Sequence, residues 1–265
     1  MAAFRKYGEV LLVTAQSGLA YPLDALSRAG FMAVVIFVFI QLWKVTFNVS
    51  SQSSFAGYDL RRMVWYLVLT ETIVMSSPRT FDKVDLEVKS GDLAYTLSKP
   101  YSYALFHFAQ YLGNTVLLLP VNFAVGATLA FALAGKPHLA FGAWPIVAVA
   151  VLLAICLNFA VELSIGLLAF WFEDTYAFFW IYQKLTFTIG GLFLPLALFP
   201  NGLRQVASHL PFSAIAYAPA RLTTGFDAGL VVGTLVTQLA WLAVLGGIAA
   251  LVYRGGVSRL NINGG

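Results

Sequence analysis

The sequence predicts an all-α integral membrane protein with six transmembrane helices. Composition is the first reason: 60% of the 265 residues are hydrophobic and only 11% are charged, against roughly 45–50% and about 25% in soluble domains. Patterning is the second. Apolar residues gather into runs of the ~20 residues needed to cross ~30 Å of hydrocarbon. Six such runs leave too little chain for a soluble domain of ~100–150 residues. Residues 1–265 are therefore expected to form a single transmembrane domain with no attached catalytic module.

Near the N-terminus, Phe4, Tyr7 and Leu11 recur at helical spacing with Arg5, Lys6 and Glu9 between them. This pattern fits an amphipathic helix lying on the membrane, with a disordered tail as the alternative. The apolar run from Val10 to Val13 is too short for a signal-peptide core. The expected spans are residues 29–47, 63–77, 103–133, 143–172, 176–198 and 230–253. The third is about 45 Å long as a helix, so it must tilt, protrude or kink at Pro120. Between the fifth and sixth spans, Pro200, Pro211 and Pro219 break an apolar stretch into pieces too short to cross. Short helices dipping partway into the outer leaflet fit it best.

Six spans place both termini on one side. With that side inside, ten Lys and Arg residues face the cytoplasm (5, 6, 28, 79, 83, 89, 99, 184, 254, 259) and six face out (44, 61, 62, 136, 204, 221). The excess supports cytoplasmic termini.

Enzyme motifs are missing. Gly135-Lys136 runs into Pro137, which spoils the nearest approach to a phosphate-binding loop. Neither G-x-S-x-G nor H-E-x-x-H occurs. His107, His138 and His209 are far apart, and Cys156 is the single cysteine, so no metal or catalytic centre is expected. The net charge of +4 is modest, and no nucleic-acid partner is expected.

Three constellations stand out. The first is the polar stretch 78–100. Ser77-Pro78 reads as a helix start with proline at its first position. Phe81, Val84 and Val88 share one face, Asp82, Lys83, Asp85 and Lys89 lie around the rest, and Gly91 reads as the terminator. This is a docking element for a soluble partner, or else a solvated interfacial helix. The second is Glu162 and Lys184, each ~15 Å along its helix from the turn at Glu173-Asp174. At equal depth they are expected to form an ion pair; a substrate-pathway role and rotation apart are the alternatives. The third is Glu71, with Arg28 as a possible partner. Asn114, Asn122, Asn158 and Gln238 line a cavity or bond between helices.

The run Val84-Asp85-Leu86-Glu87-Val88-Lys89-Ser90-Gly91-Asp92-Leu93-Ala94-Tyr95-Thr96-Leu97-Ser98-Lys99-Pro100 resembles the I-x-x-G-x-L-x-x-x-L-x-[KR]-P signature of ABC-2 type transporter permeases. Gly190-Gly191-Leu192-Phe193-Leu194-Pro195-Leu196, followed by Leu210-Pro211-Phe212 and Tyr217-Ala218-Pro219-Ala220, is similar to the end of that family's fifth span and its outer re-entrant helices. The resemblance implies an exporter-type permease of a bacterial inner membrane. Residues 78–100 would then be the coupling helix, Glu173-Asp174 a smaller second cytoplasmic contact, and the N-terminus a connecting helix. It implies that separate nucleotide-binding ATPase subunits hold ATP and Mg, with no cofactor in this chain. A second permease chain, identical or related, would complete the pathway. The cargo would be amphipathic or hydrophobic. The rival readings are an ion-coupled secondary transporter and an integral membrane enzyme acting on lipid.

Overall fold

The computed structural model describes residues 2–20 and 22–263. Among these the regular structure is helical. In chain order the α-helices are α1 (Ala2–Leu19), α2 (Pro22–Ser50), α3 (Leu60–Met75), α4 (Thr80–Ser90), α5 (Asp92–Leu97), α6 (Tyr103–Ala134), α7 (Trp144–Leu167), α8 (Tyr176–Thr188), α9 (Asn201–Ser208), α10 (Pro211–Ile215), α11 (Tyr217–Arg221) and α12 (Ala228–Asn263).

Among the described residues, four helices are long and apolar enough to cross a membrane: α2, α6, α7 extended by its flanking 3-10 turns, and α12. Of these α7 is the most enclosed, while α2, α6 and α12 leave most of their apolar surface uncovered by the chain. A chain in water would not tolerate that exposure, whereas lipid does. α6 passes through Pro120 without a break.

The two remaining expected spans are shorter. α3 has 16 residues, about 24 Å, and is almost wholly buried, from Met63 to Ile73. α8 has 13 residues, about 20 Å, so the expected span 176–198 is not one helix. It stops because Gly191 takes φ +79°, a left-handed conformation that only glycine adopts cheaply. The backbone then bends through residues 192–194 to Pro195, and a 3-10 turn follows at Leu196–Leu198. The freed carbonyls are answered by α3: the Tyr66 hydroxyl donates to Gly191 O and Thr70 Oγ1 to Leu192 O (2.9 Å). Irregular backbone inside a membrane protein survives only when its polar groups are satisfied in this way.

The bundle has two distinct ends. At one, α4 meets the C-terminal end of α7 and the start of α8, and α5 follows it. At the other, Asp59 caps α3 by accepting from Arg62 N (2.7 Å). There Trp65 Nε1 donates to Gly135 O (2.9 Å), and α9 to α11 close over the bundle. Buried Gln238 of α12 donates to Ala150 O of α7 (2.9 Å) and Ala214 O of α10 (3.0 Å), so these short helices are tied to the long ones. α1 is a helix, as expected, and it packs along α6. A Cβ on Gly113 would sit 2.6 Å from Leu11 O. The Tyr7 hydroxyl accepts from Ser102 N (2.9 Å).

Candidate functional site

The polar stretch 78–100 folds as two helices, α4 and α5, joined at Gly91. Gly91 takes φ +81° and ends α4 as the sequence suggests. The start differs: α4 begins at Thr80, not Pro78, and Arg79 at its N-cap provides no side-chain cap. The cap comes from another helix. Glu162 of α7 accepts from Thr80 N through Oε2 (2.6 Å), and its Oε1 accepts from Asn158 Nδ2 (3.0 Å). Asn158 in turn bonds the Tyr111 hydroxyl (3.0 Å) and accepts from the Tyr182 hydroxyl. The first orphan amides of a helix need acceptors, and the buried Glu162 carboxyl supplies one.

This overturns the expected Glu162–Lys184 ion pair. Lys184 is exposed, with Nζ over the rings of Trp180 and Phe187 (5.9 Å each). Tyr182, not Lys184, faces α7. Two residues further along a helix is ~200° around it, so equal depth did not bring the two charges together. Arg28 and Glu71 do not pair either. Glu71 is 1% exposed, and its Oε1 has no hydrogen-bond partner.

Packing fixes α4 just as firmly. Phe81 stacks on Phe179 (centroids 3.9 Å apart) and meets Tyr176 edge-on (5.1 Å). Val84 lies against Gly166, where a Cβ would come within 2.7 Å of Val84 Cβ and 2.9 Å of Phe81 O. Gly166 therefore permits the close crossing of α4 over α7. Asp85 is buried and accepts from Thr175 Oγ1 (2.6 Å), and it also pairs with Lys89 (2.8 Å). Val88 is half-buried. Glu87 accepts from the Tyr103 hydroxyl (2.8 Å) and bonds His107 Nε2 (3.1 Å). Burial works to raise the Glu87 carboxyl, but the hydrogen bond and charge of His107, the Tyr103 hydroxyl and nearby Lys83 together hold it below the usual carboxylate range.

The residues divide cleanly by face. Phe81, Val84 and Asp85 point into the chain, and Asp82 is half-buried. Lys83, Leu86, Lys89 and Gly91 are exposed, and Tyr95 of α5 is exposed beside them. Leu86 is 66% and Tyr95 69% exposed, two large apolar side chains beyond the polar stretch's buried face. Sequence reasoning took the inner anchors for the candidate contact and passed over Leu86 and Tyr95. Glu173 and Asp174 are exposed at the same end; Asp174 accepts from Tyr176 N (2.8 Å) at the start of α8. Thr175, also passed over, is the residue of that turn that holds α4.

Between α2, α3, α7 and α8 lies a cavity of about 460 Å³. Arg28, Arg79, Asn158, Glu162 and Gln183 supply its polar wall, with Phe31 and Phe179 among the apolar groups. Glu162 thus both lines the cavity and caps α4. Among the described residues, no three His, Cys, Asp or Glu side chains converge as a metal site.

An all-helical chain with four long, lipid-suited helices is a multi-pass membrane protein. It belongs to the ABC-2 family of transporter proteins, whose family model matches residues 32–264. Members of this family are membrane subunits of transporters and are not themselves catalytic. No curated protein matches the chain.

Proposed function

We propose that this chain is the permease subunit of an ABC exporter, driven by separate ATPase subunits that dock on the outer face of α4 and α5. The observation that carries the reading is the attachment of α4. Its inner face is fastened to α7 and α8 by Glu162, Phe81, Val84 and Asp85, while Leu86, Tyr95, Lys83 and Lys89 are left outward. A short helix fastened on its inner face, with two large side chains and two cations outward, suits the transfer of a rigid-body movement from a partner. Glu173 and Asp174 add a smaller contact at the same end. ATP and Mg belong to the partner, because the sequence has no phosphate-cradling glycine loop.

In this reading α3 and α8 complete a set of six crossings, α9 to α11 form the outer re-entrant layer, and both termini are cytoplasmic in the inner membrane. The whole chain is one permease domain. A second permease chain, identical or related, lies against α2 and α8. The exposed cation of Lys184 supports a protein- or water-lined face there, since a lone charge facing lipid is costly. The cavity beside Glu162 suits an amphipathic cargo, with guanidinium groups at one side and aromatic rings at the other. Cargo in that cavity would act on the group that caps α4. The test is purification of the tagged chain from its native membranes with identification of every bound subunit. A P-loop ATPase in stoichiometric amount is expected; its absence from an intact, active preparation would contradict the reading.

A further inference from the structure

A second cleft, of about 610 Å³, opens between α6, α7 and α12. Leu105, Phe108, Leu163 and Leu242 make its walls apolar, and its polar residues Ser102 and Arg254 lie with Tyr253 at the end where α4 and α5 sit. Arg254 is exposed and makes no hydrogen bond or ion pair with any described residue. From Arg254 to Leu242 is ~18 Å along α12, close to half the ~30 Å hydrocarbon thickness. An apolar trough one leaflet deep with a guanidinium at its mouth is complementary to one kind of amphiphile.

We propose that this cleft binds a phospholipid with an anionic headgroup, its acyl chain along the trough and its phosphate on Arg254. Guanidinium presents a fork of donors that matches phosphate oxygens. A soluble phosphate compound would gain nothing from the apolar walls, so the lipid is the occupant. The site also touches the polar helices. Tyr253 stacks on Tyr103 (5.8 Å, 14°), whose hydroxyl donates to Glu87 of α4. Tyr253, next to Arg254 in the chain, is thus two contacts from α4. The proposal rests on the chain crossing a membrane and is independent of which ATPase it meets.

The cleft contains its own reporter, because Cys156 lines it and is the chain's single cysteine. The experiment uses the purified full chain in detergent, with phosphatidylglycerol and phosphatidylcholine of matched acyl chains and with soluble glycerol phosphate. Native mass spectrometry should show phosphatidylglycerol retained roughly tenfold better than phosphatidylcholine, whose choline cation offsets the attraction of its phosphate for Arg254, a difference on the scale of one charge-assisted contact. Arg254→Gln should erase that preference. Phosphatidylglycerol should slow maleimide labelling of Cys156 in the wild type, and glycerol phosphate should not. Gly246→Leu, which adds a side chain where open space lies, should block both retention and protection while the thermal midpoint holds. Equal retention of the two lipids, an unchanged preference in Arg254→Gln, protection by glycerol phosphate alone, or protection that follows protein concentration instead of lipid would each overturn the proposal.

Discussion

Glu162 of α7 accepts a hydrogen bond from the backbone N–H of Thr80, 2.6 Å away, and so caps a helix 82 residues earlier in the chain. The two side chains' elements share no sequence neighbourhood, yet this contact sets where α4 begins. It also puts a cavity-lining carboxylate in direct contact with the proposed docking helix.

Removing that carboxylate should loosen α4. A lost cap costs about 1 kcal/mol, and a buried donor left unsatisfied about 1–3 kcal/mol. Glu162→Leu should therefore lower the thermal midpoint in detergent clearly, with Glu162→Gln in between because it keeps an acceptor. Lys184→Met should change stability by no more than ~0.5 kcal/mol. The double variant should show the sum of the singles, as unconnected sites do. A coupling energy above ~1 kcal/mol between the two positions would contradict the observed geometry.

At Gly166, α4 and α7 approach so closely that a Cβ would come within 2.7 Å of Val84 Cβ. Gly166→Val should force the helices apart and cost about 1–3 kcal/mol, the range for overpacking. Phe81→Ala, which empties a fully buried ring site, should cost about 3–5 kcal/mol. Thermal unfolding with a membrane-insertion control checks both. A Gly166→Val chain as stable as the wild type would show that α4 does not lie as described.

Acid should weaken the hold of α6 on α4. The folded Glu87 carboxyl lies below its ordinary value, so its contribution is complete above about pH 4.3, the usual carboxylate value. It is lost as the pH falls through the lowered folded value. Glu87→Gln should accordingly flatten the acid limb of stability. Parallel midpoint measurements across the acid range check this, and superimposable acid limbs for the two chains would refute it.

Hydropathy made the four long helices legible, and Gly91 made the end of α4 legible, because both depend on local chemistry. Rotation was not legible. Spacing from the turn gave Glu162 and Lys184 the same depth but says nothing of which way each points. The partner of Glu162 was a backbone amide, which no search for opposite charges finds. The break after α8 was hidden for a related reason: residues 189–198 are as apolar as a span, and only the capture of Gly191 and Leu192 carbonyls by Tyr66 and Thr70 stabilises the turn. The heptapeptide-scale periodicity of α4 showed an apolar face but could not tell whether the chain itself or a partner covers it. Phe81 and Val84 face inward, so the free surface is the one carrying Leu86 and Tyr95.

The claim that this free surface receives the ATPase is tested most directly by comparing co-purified ATPase across outward and inward changes. Leu86→Asp and Tyr95→Ala should insert normally and keep the wild-type thermal midpoint within about 0.5 kcal/mol. Each should lose at least roughly tenfold in bound ATPase, the scale of one buried apolar anchor. Lys89→Ala, at the rim, should lose much less. Wild-type ATPase recovery and transport in the Leu86→Asp, Tyr95→Ala double variant would show that the ATPase docks elsewhere.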